Sequence, residues 1–212
     1  MNQKTWLRMA IMLATLFLAL GQGSARADDI VDVTVDTSAL GSFGSSEIFF
    51  TLTGTGGNTA ALSNISLGGG TAGGVDTANT IGSGTIAGNG LGSGISLNDG
   101  SAFLNVFAQS LMAGNQLSFL LDLTTTVVSP SPDQFSLFIL DPNGNPIPTS
   151  DPTGFDNLLS INLDSTNPTL NIYSGIVSTA APTPTPEPSS LLMLGSGLLS
   201  LTLLSRRRII FR

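Results

Sequence analysis

Leu117-Ser118-Phe119-Leu120-Leu121-Asp122-Leu123-Thr124-Thr125-Thr126-Val127-Val128 puts Leu117, Phe119, Leu121 and Leu123 on one face of an extended chain. Ser118, Leu120, Asp122 and Thr124 fall on the other. Period-two alternation over this length predicts a β-strand with one face in a core. Working outward, residues 134–140 (Phe135, Leu137, Phe138, Ile139, Leu140) predict a second strand, and Asp141-Pro142-Asn143-Gly144-Asn145-Pro146 a turn after which Ile147 begins a short return strand. Leu158–Leu163 and Thr169–Val177 complete that side. Upstream, Ile30, Val31, Val33 and Val35 alternate with Asp32, Thr34 and Asp36, while Glu47–Thr53 and Thr59–Leu67 give two more strands. Ser101–Met112 is ambiguous. Phe103, Leu104, Phe107, Leu111 and Met112 sit at helical offsets with Ser101 as a cap and Ala113-Gly114 as a stop; alternation also partly fits, but a short helix or irregular turn closing one end of a sheet core is expected there.

Residues 54–100 are dominated by Gly, Ser, Thr and Asn, with Ile81, Ile86, Leu91, Ile95 and Leu97 recurring every four or five positions. The period drifts too much for a solenoid, which needs regular stacked repeats, so short strands joined by glycine turns are expected. Eight to ten strands with close turns and no long helix imply an all-β domain, an antiparallel β-sandwich of jelly-roll type.

Charge is segregated along the chain. All seven basic residues lie near the ends, at Lys4, Arg8, Arg26, Arg206, Arg207, Arg208 and Arg212. Of the fourteen acids only Glu187 lies beyond residue 185, so thirteen acids and no Lys, Arg or His occupy residues 28–185. A surface of one sign repels phosphate backbones, which excludes nucleic acid as a partner. Cysteine is absent, so neither disulfide nor thiol chemistry is available. With no His, Cys, Lys or Arg in the domain, most nucleophile–base pairs and oxyanion-binding cations are missing, and no catalytic residue is assigned. A glycosidase would still need two facing carboxylates and aromatic platforms, yet the only Trp is Trp6 and the only Tyr is Tyr173. A non-enzymatic protein is expected. No cofactor is required. The acidic field would attract divalent cations, and the best candidate for a bound ion is calcium, with Asp141, Asn143 and Asn145 as alternating oxygen ligands. Pro146 replaces the glycine of a calcium loop and no Glu follows at its twelfth position, so a plain hairpin turn accounts for the same residues.

Both ends read as addresses. Lys4 and Arg8 precede an apolar run, Met9–Leu20, and Ala25-Arg26-Ala27 supplies a small-x-small cleavage pattern, so residues 1–27 are expected to be a signal helix removed before Asp28 by signal peptidase after the secretion machinery. Residues 28–178 form the ectodomain and 179–185 an extended Pro/Thr linker. Residues 186–212 hold Pro186-Glu187-Pro188, an apolar run from Leu191 to Leu204, and Arg206-Arg207-Arg208. As a helix that run spans roughly 21 Å against a hydrocarbon core of about 30 Å. It predicts a single, weakly inserted membrane helix, with the arginines holding its end in the cytoplasm and everything upstream outside.

Pro186-Glu187-Pro188-Ser189-Ser190, followed by the hydrophobic run and the Arg cluster, resembles the PEP-CTERM sorting signal of exported proteins in diderm bacteria. The resemblance implies processing near the triplet by exosortase, a multipass membrane transpeptidase. It also implies transient anchoring in the inner membrane, then residence at the cell surface or in an extracellular matrix beside exopolysaccharide, with a structural or adhesive role in biofilm. The tail Ile209-Ile210-Phe211-Arg212 is longer and more apolar than such signals usually carry. Ser101–Phe107, Leu117–Thr125 and Pro132–Asp141 are similar to an uncharacterised β-rich ectodomain family found among PEP-CTERM proteins, which implies an all-β fold and no activity. A calcium-assisted polysaccharide-binding module is the alternative of a different class.

Overall fold

The strand expected at Leu117 sits at the centre of its sheet. The computed structural model describes residues 28–42, 44–86, 90–124, 133–163, 168–180 and 183–184. Its strands are β1 (Asp28–Asp36), β2 (Ser45–Thr53), β3 (Thr59–Ser66), β4 (Thr71–Val75), β5 (Ile95–Asn98), β6 (Leu104–Met112) and β7 (Gln116–Thr124). They continue with β8 (Gln134–Leu140), β9 (Leu159–Asn162), β10 (Thr169–Ile172), β11 (Val177–Thr179) and β12 (Thr183–Pro184). Short 3-10 turns at Leu40–Ser42 and Gly82–Ile86 are the only helical elements among the described residues. None is long and apolar enough to cross a membrane. Both expected terminal helices lie outside the described residues.

Two six-stranded antiparallel sheets result. One runs β11-β1-β7-β3-β5 with β12 also on β1, and the other β10-β9-β8-β2-β6-β4. Their inward faces meet in one core. Val31, Val33 and Val35 of β1 and Leu117, Phe119, Leu121 and Leu123 of β7 contribute from the first sheet. Ile48, Phe50 and Leu52 of β2 and Phe135, Leu137 and Ile139 of β8 contribute from the second. Phe50 meets Phe119 edge-to-face across the layers, with ring centroids 5.5 Å apart. That geometry suits the ring quadrupoles and adds about 1 kcal/mol to area burial.

Three expectations need correction. Ser101–Met112 holds no helix: Leu104–Met112 is β6, paired along all nine residues with β2. Its polar inward side chains disguise the alternation. The Asn105 Oδ1 accepts the Ser83 N–H at 2.8 Å, and the Gln109 Oε1 accepts the Leu91 N–H at 2.9 Å. Amide side chains here satisfy backbone of the glycine-rich segment, while Val106 and Ala108 join Phe49 in a second apolar cluster on the opposite face. Thr169–Val177 is also not one strand. It breaks after Ile172, and β10 and β11 belong to different sheets. Ile147 donates to the Ile139 carbonyl at 3.0 Å but starts no strand.

Among the described residues of 54–100 the chain forms β3, β4, a 3-10 turn and β5, with Leu91, Ile95 and Leu97 in the core and no repeating turn. At Gly54 the backbone passes so close to the Asp133 carboxylate that a Cβ would overlap it. Only glycine fits. Residues Ala27–Thr185 make up one compact unit.

Candidate functional site

The signal-cleavage residues Ala25 and Ala27 and the sorting residues Pro186, Glu187, Pro188, Arg206, Arg207 and Arg208 lie outside the described residues. What the fold does position is the chain leading into the sorting segment. Pairing β1 with β7 leaves its other edge open, and the C-terminal segment covers that edge. Val35, Thr34 and Val33 face Val177, Ser178 and Thr179, and Ile30 and Asp29 face Thr183 and Pro184. Part of the stretch expected as a linker is therefore edge strand. From Asp32, whose carbonyl accepts the Ala180 N–H at 3.0 Å, two steps along β1 lead to Ile30, whereas three lead from Ala180 to Thr183.

The direction of the main-chain groups follows. Asp36 donates its N–H to Ile176 at 2.7 Å, and Asp32 accepts from Ala180. Even-numbered residues of β1 therefore turn their polar backbone toward the C-terminal segment. In an antiparallel ladder, hydrogen-bonded and non-hydrogen-bonded pairs alternate, so Ile30 and Thr183 form the bonded pair and Asp29 and Pro184 the other. A proline in the non-bonded position forfeits nothing, because its missing N–H faces away from the ladder.

Asp141, Asn143 and Asn145 do come together, as a turn that binds itself. The Asp141 Oδ1 accepts the N–H groups of Asn143 and Asn145, both at 2.8 Å. Both side-chain amides donate to the same carboxylate, Asn143 at 3.4 Å and Asn145 at 3.3 and 3.4 Å. Gly144 takes a positive φ of 80° and donates to the Asp141 carbonyl at 3.0 Å. The bond from the Asn145 N–H, ahead of the others, holds the Asp141 carboxyl below its ordinary range. Both oxygens of the Asp141 carboxylate that a cation would use accept from these donors. Among the described residues no three His, Cys, Asp or Glu side chains gather to hold a metal ion.

Two acidic arrangements escaped the sequence reading. At one end of the core, Asn58 bridges two buried carboxylates: its N–H donates to Asp99 Oδ1 at 2.6 Å, and its Nδ2 to Asp133 Oδ2 at 2.6 Å and Asp99 Oδ2 at 3.4 Å. The Thr55 N–H donates to Asp133 Oδ1 at 3.1 Å. Burial, reinforced by the charge of Asp133, raises the Asp99 carboxyl above its ordinary value. The members lie 41 and 75 positions apart, and no local pattern links them.

The second arrangement is on the outward face of β2. Glu47 is pushed up to about 7, first by burial, then by a hydrogen bond to Asp76 and by its charge. Asp76 is held low by the Asn79 side chain and the Ala78 N–H. A proton-holding Glu beside an ionised Asp has the polarity of an acid–base pair. These two are in direct hydrogen-bond contact, however, and two carboxyls flanking a glycosidic bond stand about 5 Å or more apart.

Residues 184–208 match the family model described as PEP-CTERM protein-sorting motif. No curated protein and no solved structure matches the chain.

Proposed function

We propose that this chain, with a PEP-CTERM protein-sorting motif at residues 184–208, is the precursor of an exported protein that exosortase sorts through that motif. In this reading residues 1–27 are a signal helix, and the run from Leu191 to Leu204 is a transient inner-membrane helix. Two apposed sheets with no Lys, Arg or His side chain form a β-sandwich ectodomain of jelly-roll type. The released domain is non-enzymatic and acts structurally or adhesively beside exopolysaccharide at the surface or in the matrix of a diderm bacterium.

The observation that carries the reading is the position of the motif. It begins at Pro184, the last residue of the sheet among the described residues, so the sorting signal directly follows the described part of the domain. Deleting Pro186–Arg212, or removing the processing peptidase from the host, should move the protein between envelope and medium. An unchanged distribution in both strains would refute the proposal.

A further inference from the structure

The connection from β8 to β9 carries an aromatic ring into solvent. Phe155 is 75% exposed, the highest value of any large apolar side chain among the described residues. The loop beneath it is tightly bonded. One oxygen of the buried Asp151 carboxylate accepts the Thr153 N–H at 2.9 Å and hydroxyl at 2.7 Å, and the other accepts the Asn157 N–H at 3.1 Å and Nδ2 at 2.7 Å. Asp156 Oδ1 accepts the Thr149 N–H at 3.0 Å. Gly154 and Asp156, on either side of the ring, take positive φ values of 77° and 53°, a left-handed conformation that an aspartate adopts at some cost. The Ser150 N–H and hydroxyl both donate to the Tyr173 carbonyl, at 2.9 and 2.8 Å, which pins the loop to the chain just past β10. None of this ordering gains from burying Phe155. The loop holds the ring in water, already set for a contact outside the domain.

The loop stands at the end of the domain away from Pro184. Pro184 pairs with Asp29 at the start of β1, whereas Asp36, at its finish, donates to Ile176, three residues past the Tyr173 that holds the loop. The chemistry around the ring selects its partner. Its neighbours in the loop are Pro152, Thr153, Gly154, Asp156 and Asn157, and no Lys or Arg occurs between residues 28 and 185. Carboxylates without a cation beside them repel anionic polymers and anionic lipid surfaces. A protein–protein anchor is ringed by contacts that exclude water, which these small polar residues do not supply. A pyranose chain with equatorial hydroxyls fits both features: its flat C–H face lies on the electron-rich face of the ring, and its hydroxyls donate to the carboxylate and hydroxyl oxygens alongside. We propose that Phe155 is a stacking platform for an uncharged, β-linked pyranose polymer, presented by the 149–157 loop. The inference rests on the adhesive reading above and deepens it, by naming the contact and the class of polymer.

Affinity electrophoresis of the full-length protein in a neutral detergent, through native gels containing hydroxyethylcellulose or alginate, tests the proposal. Hydroxyethylcellulose, the uncharged β-linked polymer, should retard the parent in proportion to its concentration, and anionic alginate should not. Phe155→Ala should lower the apparent association constant by about tenfold, and Phe155→Trp should match or exceed the parent. Phe103→Ala removes another exposed ring, next to the β2 end where Gly54 bonds its carbonyl, and should bind like the parent. Equal retardation of the parent and Phe155→Ala overturns the inference and leaves the adhesive reading standing. Retardation by alginate alone moves the adhesion to an anionic polymer and overturns the inference as well. A sedimentation coefficient that falls in Phe155→Ala, with no retardation by either polymer, gives the ring to a second copy of the chain and overturns it too. A parent that moves freely through both polymers, with sedimentation unchanged in Phe155→Ala, defeats the adhesive reading and the inference with it.

Discussion

Glu47 holds its proton well above the range of an ordinary glutamate, first through burial and then through Asp76. Its carboxyl binds a proton more tightly in the folded chain than the ordinary value of 4.5 allows, with a folded value of about 7. Between those values the native state holds more protons than the unfolded state, so stability falls as pH rises through the window. The melting temperature should drop between about pH 5 and about pH 8, and Glu47→Gln should remove most of that slope. An identical slope in the variant would show that Glu47 is not its source. Asn58 invites the second residue-level test. Asn58→Ala leaves the buried Asp99 and Asp133 carboxylates without their shared donor and should cost about 2–3 kcal/mol in urea unfolding. Neither group had a sequence signature, because the contacts that define them join residues far apart in the chain. Asp141-Pro142-Asn143-Gly144 was legible as a turn because its partners are its own neighbours.

At the scale of elements, strands whose inward face is wholly apolar were readable, and the one whose inward face carries amides was not. β7 and β8 show the first case: Leu117, Phe119, Leu121 and Leu123, and Phe135, Leu137 and Ile139, are inward and fully buried. β6 shows the second. Asn105 and Gln109 point inward to satisfy loop backbone, while Val106 and Ala108 are covered on the other face, so neither periodicity survives. The C-terminal stretch misled for another reason. Pro182 and Pro184 signal an extended linker, and only the register on β1 reveals that an edge strand can carry a proline where no donor is needed. Packing predictions belong here. Phe50→Ala removes a ring that touches both Phe119 and Phe135 and should cost about 3–5 kcal/mol. Phe103→Ser, at a position 58% exposed, should change stability by less than about 0.5 kcal/mol. Equal effects from the two would contradict the assigned core.

For the whole molecule, the excess of one charge sign matters more than any single contact. Thirteen acids and no Lys, Arg or His side chain between residues 28 and 185 make the domain self-repelling. Stability should rise as NaCl is increased from about 0.01 M to about 0.15 M, as the screening length shortens from about 30 Å to about 8 Å. A falling melting temperature would mean that attractive ion pairs dominate, which this composition does not provide. The account as a whole depends on both ends being removed around a two-sheet domain, and intact-mass analysis of the protein recovered from medium and envelope reads both ends at once. It predicts a chain that begins at Asp28 and ends past Pro184, shorter than the 212-residue precursor. A cytosolic species retaining both Met1 and Arg212 as its only form would contradict it.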